Sequence, residues 1–157
     1  MADTHNKTGA PDRIWSVYLS GEIHTDWREQ IINGAKNLGL PTTFTSAITD
    51  HEASDSAGDM LEPESEGFWR DNKSSRVNAI RTRTLLARCD IAIVRFGDQY
   101  KQWNAAFDAG YASALGKSII TLHDEEHDHA LKEVDEAANV TARSPEQVVK
   151  ILEYVLS

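Results

Sequence analysis

The segment Ile91-Ala-Ile-Val-Arg-Phe96, followed after a short polar loop by Trp103-Asn-Ala-Ala-Phe-Asp-Ala-Gly-Tyr-Ala112, decides the fold of this chain. Its first part is the kind of apolar run that forms a buried strand of a parallel sheet. Its second part predicts a helix, capped by Asn104, with Asp108 about one turn inside. Open α/β folds bind ligands just past the carboxyl ends of such strands, so Asp108 is a candidate functional residue. A solvent-facing acid favoured by the helix dipole is the alternative.

Strand-like and helical patterns alternate on both sides of this segment. Helical spacing predicts helices at 26–38, 73–89, 104–115, 129–138 and 144–156. The last of these has a capping box formed by Ser144 with Gln147. Apolar and β-branched runs predict strands at 14–19, 41–47, 91–96, 117–122 and 140–142. This alternation predicts an α/β three-layer sandwich with a five-stranded parallel sheet, flavodoxin-like or Rossmann-like, in the order 2-1-3-4-5. A ligand crevice is expected between the carboxyl ends of the first and third strands.

Two segments stand apart from the alternating elements. Residues 48–72 are polar and acidic, and a loop of that length predicts a functional lid or a flexible segment. Residues 1–12 are polar, and we expect them to be a frayed N-terminus. Residues 13–157 are expected to form a single domain.

Composition excludes several classes of partner. The chain has 157 residues, and its 25 acidic residues outnumber its 16 basic ones for a net charge of −9. That charge disfavours a nucleic acid polymer or an anionic membrane as partner, although a small nucleotide needs only a local site. The single Cys89 permits no intrachain disulfide, and no apolar run reaches membrane-spanning length. We expect a cytoplasmic protein.

The end of the first strand carries further candidates. Tyr18 lies near that end and, with the first and third strands adjacent, is a candidate hydrogen-bond donor to Asp108; a core aromatic is the alternative. Gly21 lets the backbone approach a ligand closely. Glu22 repels a phosphate, whereas His24 attracts one when protonated, so the segment is only a weak phosphate-binding signal. An ordinary strand-to-helix turn is the alternative.

Other candidates lie in or after the long polar segment. Asp71 and Asn78 carry groups that can read the hydrogen-bonding edge of a base or the hydroxyls of a sugar, although helix capping and solvation explain them equally. Trp69 and Trp103 can stack on a planar ligand, close over the site or seal a subunit interface.

Two acidic tracts raise the question of a metal. Asp50-His51, Asp55 and Asp59 have the spacing of neither an EF-hand nor a zinc site, so a solvated acidic loop is the preferred interpretation. The tract that contains His123, His127 and His129 can bind a metal adventitiously, but surface residues before a helix are the preferred interpretation. No metal site is predicted.

Several motifs together resemble the nucleoside 2-deoxyribosyltransferases, and most closely their YtoQ family. They are Tyr18-Leu-Ser-Gly-Glu-Ile-His24, Cys89-Asp-Ile-Ala-Ile-Val94, Tyr100-Lys-Gln-Trp-Asn104, Ala106-Phe-Asp-Ala-Gly-Tyr-Ala112 and Gly116-Lys-Ser-Ile-Ile120. The resemblance covers nearly the whole chain after the first dozen residues. It implies a role in nucleotide salvage and a homo-oligomer, because a neighbouring subunit completes the site in that family.

The family pattern after the third strand is Asp-x-Gly-Thr-Ala-x-Glu-x-Gly, with the Glu as nucleophile. This chain keeps Ala106 and Gly110 and has Asp108 in place of the Glu. Aspartate is one methylene shorter, so it would sit closer to the sugar. Gln102 replaces an Asp expected to help handle the leaving base, and the chain also departs from the pattern at Asn104 and Ala105 and, in the first-strand motif, at Glu22, where the family often has Pro.

The resemblance implies covalent glycosyl transfer without any cofactor. Asp108 attacks C1′ of a 2-deoxyribosyl donor, Tyr18 holds the carboxylate, and a second base attacks the resulting ester. Together with the candidates argued above from the residues themselves, the predicted substrate-binding residues are Gly21, Glu22, His24, Asp71, Asn78, Gln102, Trp103 and Asn104. The partners are small molecules, a nucleoside and a nucleobase.

Three functions stay open at the level of the sequence. The first is transfer of 2-deoxyribose between nucleobases. The second is hydrolysis of a deoxynucleoside or its monophosphate, in which water replaces the second base. The third is binding of a nucleoside or nucleotide without catalysis.

Overall fold

A computed structural model describes residues 13–99 and 102–157. Its five strands form one parallel sheet in the order β2-β1-β3-β4-β5, which confirms the predicted topology. The strands are β1 Trp15–Gly21, β2 Thr42–Ser46, β3 Ile91–Arg95, β4 Ser118–Leu122 and β5 Val140–Ala142. The predicted frayed N-terminus lies outside the described residues.

Six α-helices connect and cover the strands within the described ranges. They are α1 Trp27–Asn37, α2 His51–Asp55, α3 Gly67–Arg88, α4 Trp103–Ala114, α5 Asp128–Ala137 and α6 Pro145–Leu156. Short 3-10 turns occur at Asp59–Leu61 and Glu125–His127. In the described residues, no helix is both long enough and apolar enough to cross a membrane.

Side-chain alternation along the strands builds a core on each face of the sheet. Val17 and Leu19 of β1 point to one face, where they pack in a cluster with Ile31 of α1 and Leu152 of α6. Because successive strand residues point to opposite faces, Tyr18 points to the other face. There it joins a second cluster, supplied by α3 and α4 through Leu86, Ala105, Ala109 and Ala112. The result is the predicted three-layer sandwich.

The long polar segment is more ordered than the sequence indicates. It contains α2, a 3-10 turn and the first turn of α3, which begins at Gly67 rather than Lys73. Asp50 caps α2 by accepting a hydrogen bond from the Ala53 amide at 2.8 Å. Ser74 of α3 donates to the Asp55 carbonyl at 2.6 Å.

A lysine fixes the other end of this segment. Lys73 pairs with Glu64 at 2.6 Å and donates to the carbonyls of Leu61 and Glu62 at 3.1 and 3.0 Å. The segment is therefore held largely by polar contacts to α3, which leave no apolar periodicity for a sequence analysis to detect.

The N-caps predicted for α6 and α4 have different outcomes in the structure. Ser144 caps α6 by accepting a hydrogen bond from the Gln147 amide at 3.3 Å, as predicted. The Gln147 side chain, however, accepts from the amide of Arg143 instead of closing a reciprocal box. Helix α4 begins at Trp103 with Gln102 at its N-cap, and no side chain caps it, so the prediction of Asn104 as the cap is wrong.

Gly21 ends β1 where two strands come unusually close. Its φ of +109° is a conformation that only glycine adopts readily, and a Cβ built there would lie 1.9 Å from the carbonyl oxygen of Arg95 on β3. The close approach of the β1 and β3 backbones at this point therefore requires glycine.

We predict that Gly21→Ala lowers the free energy of unfolding by more than about 2 kcal/mol, because it adds both a backbone clash and an unfavourable φ. Urea denaturation measures the change. Gly110→Ala is the matched control: a Cβ there meets nothing within 4 Å, and alanine in a helix is favoured over glycine by about 1 kcal/mol. Equal stabilities for the two variants would contradict the prediction.

Candidate functional site

A cavity of about 810 Å³ opens beside the carboxyl end of β1, between α2, α3 and the start of α4. From β1 the chain first adds β2 on one side of the sheet and then β3 on the other, so the switch point lies between β1 and β3. Parallel sheets bind ligands at the carboxyl ends of the strands at such a point. Of the candidate residues named for ligand binding or catalysis, Tyr18 and Trp69 do not line the cavity, and the following do: Gly21, Glu22, His24, Asp71, Asn78, Gln102, Trp103, Asn104 and Asp108.

Asp108 is the buried acid of this cavity. It lies on the face of α4 that carries Ala105, Ala109 and Ala112, and its residue exposure is 8%. Ser20 donates a hydrogen bond from its Oγ to Asp108 Oδ2 at 2.6 Å. Burial raises the pKa of Asp108, and the Ser20 hydrogen bond partly offsets that increase. A carboxylate in this setting can act as a nucleophile or as a proton carrier.

Tyr18 does not make the hydrogen bond expected of it. The residue is completely buried below the cavity, and its hydroxyl has no hydrogen-bond partner of normal geometry among the described residues. Burial, followed by the charge of Asp108, raises the pKa of Tyr18 to about 12. Ser20, two residues closer to the carboxyl end of the same strand, occupies the position from which a donor reaches Asp108.

The Glu22 carboxylate is used within the turn that joins β1 to α1. It accepts hydrogen bonds from the amide of His24, from the amide of Thr25 at 2.9 Å and from the Thr25 hydroxyl at 2.6 Å. Burial acts to raise the pKa of Glu22, but these hydrogen bonds and the nearby Arg95 charge lower it overall. The acid therefore occupies the amides that could otherwise bind an anion.

A buried guanidinium and a buried indole hold the same turn by hydrogen bonds to its backbone carbonyls. Arg28 donates to the carbonyls of Glu22 and Gly21 at 2.5 and 3.0 Å, and the Trp27 indole donates to the Glu22 carbonyl at 2.7 Å. Burial lowers the pKa of Arg28 to about 10, so the guanidinium stays charged at neutral pH. The turn is thus a rigid wall of the cavity.

Gln102 and Asn78 are candidates whose amides serve the protein's own backbone. Gln102 accepts from the Gly97 amide at 3.1 Å and donates to the Gln99 carbonyl at 2.5 Å, which fixes the loop before α4. Asn78 donates to the carbonyl and hydroxyl of Ser54 at 3.0 and 3.1 Å, which fixes α2. These side chains shape the cavity more than they offer free hydrogen-bonding groups to it.

The remaining candidates form the rim of the cavity. Asp71 and Asn104 are exposed there, and so is Trp103. The rings of His24 and His51 lie with their centroids 5.6 Å apart on the same rim. This arrangement provides polar edges and flat surfaces around an opening that leads to Asp108.

His123 is buried and not on the surface as expected. Its Nε2 lies 3.0 Å from the Asp135 carboxylate, and Arg143 binds Asp128 with both terminal nitrogens, at 2.5 and 3.1 Å. Within the described ranges, His123, Asp128 and Asp135 are the one group whose ligand atoms lie close enough to hold a metal, all within 4.8 Å. A metal ion there would have to displace Arg143 from Asp128. The contact between His123 and Asp135 joins the end of β4 to α5.

The sequence analysis missed several residues of the site. Ser20 was detectable, because side-chain alternation places it on the same face as Tyr18 and one step nearer to the crevice. Other lining residues lacked any signal, since they come from the long polar segment and from the cavity-facing side of α3, where few residues are apolar: Ser54, Ser74, Ser75, Ala79 and Thr82.

The hydrogen bonds of Glu22 predict a pH-dependent contribution to stability. A lowered pKa means that this contribution is present above the ordinary Glu value of 4.5 and is lost as the pH falls through the lower folded-state value. We therefore predict that Glu22→Gln lowers the free energy of unfolding by about 1–3 kcal/mol at pH 7 and by less below pH 4.5.

Denaturant titrations at several pH values measure this difference between the variant and the unsubstituted chain. Glu136→Gln, at an exposed position of α5, is the control and should change stability little at any pH. A difference for Glu22→Gln that does not shrink in acid would show that the carboxylate charge is not what holds the turn.

The site lies in a chain with known relatives. The uncharacterized protein YtoQ of Bacillus subtilis (strain 168) is 41% identical over 140 residues, which cover 88% of this chain and 95% of that protein. The fold is shared with a conserved protein from Enterococcus faecalis V583, with a TM-score of 0.62, 12% identity and coverage of 92% of this chain and 100% of that one. It is also shared with a 2-deoxyribosyltransferase from Bacillus psychrosaccharolyticus, with a TM-score of 0.51, 14% identity and coverage of 85% of this chain and 90% of that one. A family profile described as nucleoside 2-deoxyribosyltransferase YtoQ matches residues 18–156, so this chain belongs to that family.

Proposed function

We propose that this protein transfers 2-deoxyribose between nucleobases and that Asp108 is the nucleophile. The observation that carries the proposal is a single one: a buried carboxylate, held by a hydrogen bond on one oxygen, lines a cavity of about 810 Å³ at the carboxyl edge of the sheet. A cavity of that volume is large enough for a nucleoside. Membership in the YtoQ family supports the same class of chemistry.

The proposed reaction proceeds in two displacements. Asp108 attacks C1′ of the donor, the C1′–N bond breaks, and its electron pair leaves with the base, which carries away a proton. A ring nitrogen of a second base then attacks C1′, the bond between C1′ and the Asp108 oxygen breaks, and the N–H proton of the incoming base passes to solvent. The departing base takes its proton from solvent, because the Gln102 amide is not an acid and is already bound to Gly97 and Gln99.

The geometry favours a neutral nucleoside over a nucleoside monophosphate. The Glu22 carboxylate takes the amides of His24 and Thr25, which are the donors a phosphate would use at the start of α1. A phosphate would have to displace this carboxylate and would be repelled by its charge. The rim residues Asp71, Trp103, Asn104 and His24 line the opening through which the base and the sugar would enter.

A direct assay is incubation with a 2-deoxynucleoside and a different, labelled nucleobase. We predict a labelled new nucleoside, and we predict that Asp108→Asn reduces its formation by at least about 10³-fold, because the amide is a poor nucleophile. Glu153→Gln, at an exposed position of α6, is the control and should retain full activity. Deoxynucleoside monophosphates should be poorer donors than nucleosides.

The other candidate functions are outcomes of the same assay. Free base and free deoxyribose without a new nucleoside would identify a hydrolase, in which water makes the second attack. Binding of the nucleoside without turnover, equally strong in Asp108→Asn, would identify a binding protein and contradict the catalytic proposal.

We also propose that the protein is a homo-oligomer and that an apolar patch beside the cavity forms part of the contact. We assign to this patch the exposed apolar side chains Trp103 and Phe107, one turn apart on α4, and Ile80 on α3, of which Ile80 and Phe107 are 70% and 61% exposed. Exposed aromatic and aliphatic side chains of this kind are typical of the buried centre of an interface.

Light scattering coupled to size exclusion measures the mass in solution. We predict a mass that is a multiple of 17.5 kDa, and we predict that Ile80→Glu shifts it toward 17.5 kDa, because a charge at the centre of the contact is costly to bury. Tyr154→Glu, at an 84% exposed position of α6, is the control and should leave the mass unchanged. A monomeric unsubstituted chain would contradict the proposal.

A further inference from the structure

Ser20 is a buried polar side chain in an otherwise apolar cluster. Its exposure is 1%, and it lies on the last full pleat of β1, paired with Val94 of β3. The apolar cluster on this face of the sheet and on α4 includes Ala92, Val94 and Ala105. An alanine would fill this position without a polar group, so packing alone does not explain the hydroxyl.

The hydroxyl has one partner, which is the acid of the cavity. Ser20 Oγ donates to Asp108 Oδ2 at 2.6 Å, and both residues are buried. The other oxygen, Oδ1, accepts no hydrogen bond from the part of the chain that the structure describes. The carboxylate is therefore fixed on one side and available on the other.

The length of the acid explains why the donor is at position 20. A strand places residues 18 and 20 on the same face about two residue rises, or roughly 6–7 Å, apart. The Asp108 carboxylate accepts its hydrogen bond from Ser20, whereas the Tyr18 hydroxyl makes no hydrogen bond of normal geometry to it. Ser20 and Asp108 thus form a matched pair of short side chains.

From this geometry we infer that Ser20 is the positioning residue of the site: its hydroxyl holds Asp108 Oδ2 and thereby leaves Oδ1 as the attacking oxygen. The inference rests on the proposed function, since it assigns a role within that reaction. Ser20 does not touch the reacting atoms and acts through Asp108. Without it, the carboxylate loses its one described donor and with it a fixed orientation.

The same hydrogen bond influences the protonation of Asp108. Burial raises the pKa of this carboxyl, and the Ser20 hydroxyl lowers it, so the serine keeps the acid ionised at lower pH than burial alone would allow. The other titratable groups that line the cavity are basic ones, Arg81 and Arg83 on α3 with His24 and His51 on the rim, and acidic ones, Glu22, Asp55 and Asp71. Tyr18 stays protonated beneath the acid, because its pKa is about 12.

The test compares Ser20→Ala with Ser20→Thr, which keeps the hydroxyl, and with Ser118→Ala, a strand serine at the opposite end of the sheet. The first readout does not depend on activity. In protein labelled with carbon-13 at the aspartate carboxyls, the Asp108 signal is assigned by its loss in Asp108→Asn, and its titration midpoint is measured by NMR. We expect Ser20→Ala to raise the midpoint by roughly one pH unit. The threonine and the Ser118→Ala variants should leave it near its original value.

The second readout is the pH dependence of deoxyribosyl transfer. We expect Ser20→Ala to lower kcat by about 10- to 100-fold with little change in KM, because the lost interaction orients the nucleophile and does not bind substrate. The acidic limb of the kcat profile should move to higher pH in parallel with the NMR midpoint. Ser20→Thr should recover most of kcat.

The two readouts separate the possible failures. An unshifted NMR midpoint in Ser20→Ala overturns the inference about Ser20, whatever the activity. A kcat that survives the substitution also overturns it. A shifted midpoint in a protein whose unsubstituted form turns over no nucleoside overturns the proposed function and leaves the hydrogen bond as a purely structural contact.

Discussion

The pairing of β1 with β3 is the contact on which the rest of the structure depends. It brings the carboxyl ends of the two strands together, and the backbones at Gly21 and Arg95 are so close that no side chain fits between them. The Glu22 amide continues the pairing by donating to the Arg95 carbonyl at 3.1 Å. As a result, the turn after β1 and the helix after β3 face each other across one cavity.

Two buried carboxylates lie at this junction and have different environments. Glu22 is surrounded by donors from its own turn and serves to hold that turn. Asp108 has one described donor, Ser20, and an oxygen left over on the side of the cavity. The pKa values follow this division, since that of Glu22 is lowered and that of Asp108 is raised. One acid therefore belongs to the framework, and the other has the properties expected of a reactive group.

The fold could be predicted from local patterns because the strands are apolar or β-branched runs and most helices carry a clear apolar period. The order of the strands followed from the alternation of elements, and the placement of Asp108 near the crevice followed from that order. Helix α2 and the beginning of α3 could not be predicted, because polar contacts such as those of Ser74 and Lys73 hold them, and these leave no periodic signal. The partner of Asp108 was misjudged for a different reason. Strand alternation allows both Tyr18 and Ser20, and the structure shows the hydrogen bond to the short acid on α4 coming from the serine.

The central claim is that Asp108 forms a covalent bond to the sugar. The most direct measurement is a crystal structure of the protein soaked with a 2-deoxynucleoside. We expect electron density for deoxyribose continuous with the Asp108 carboxylate, on the oxygen that Ser20 does not hold, and a base near the rim formed by Trp103 and Asn104. A nucleoside bound elsewhere, with Asp108 still buried against Ser20 and distant from the sugar, would contradict the claim.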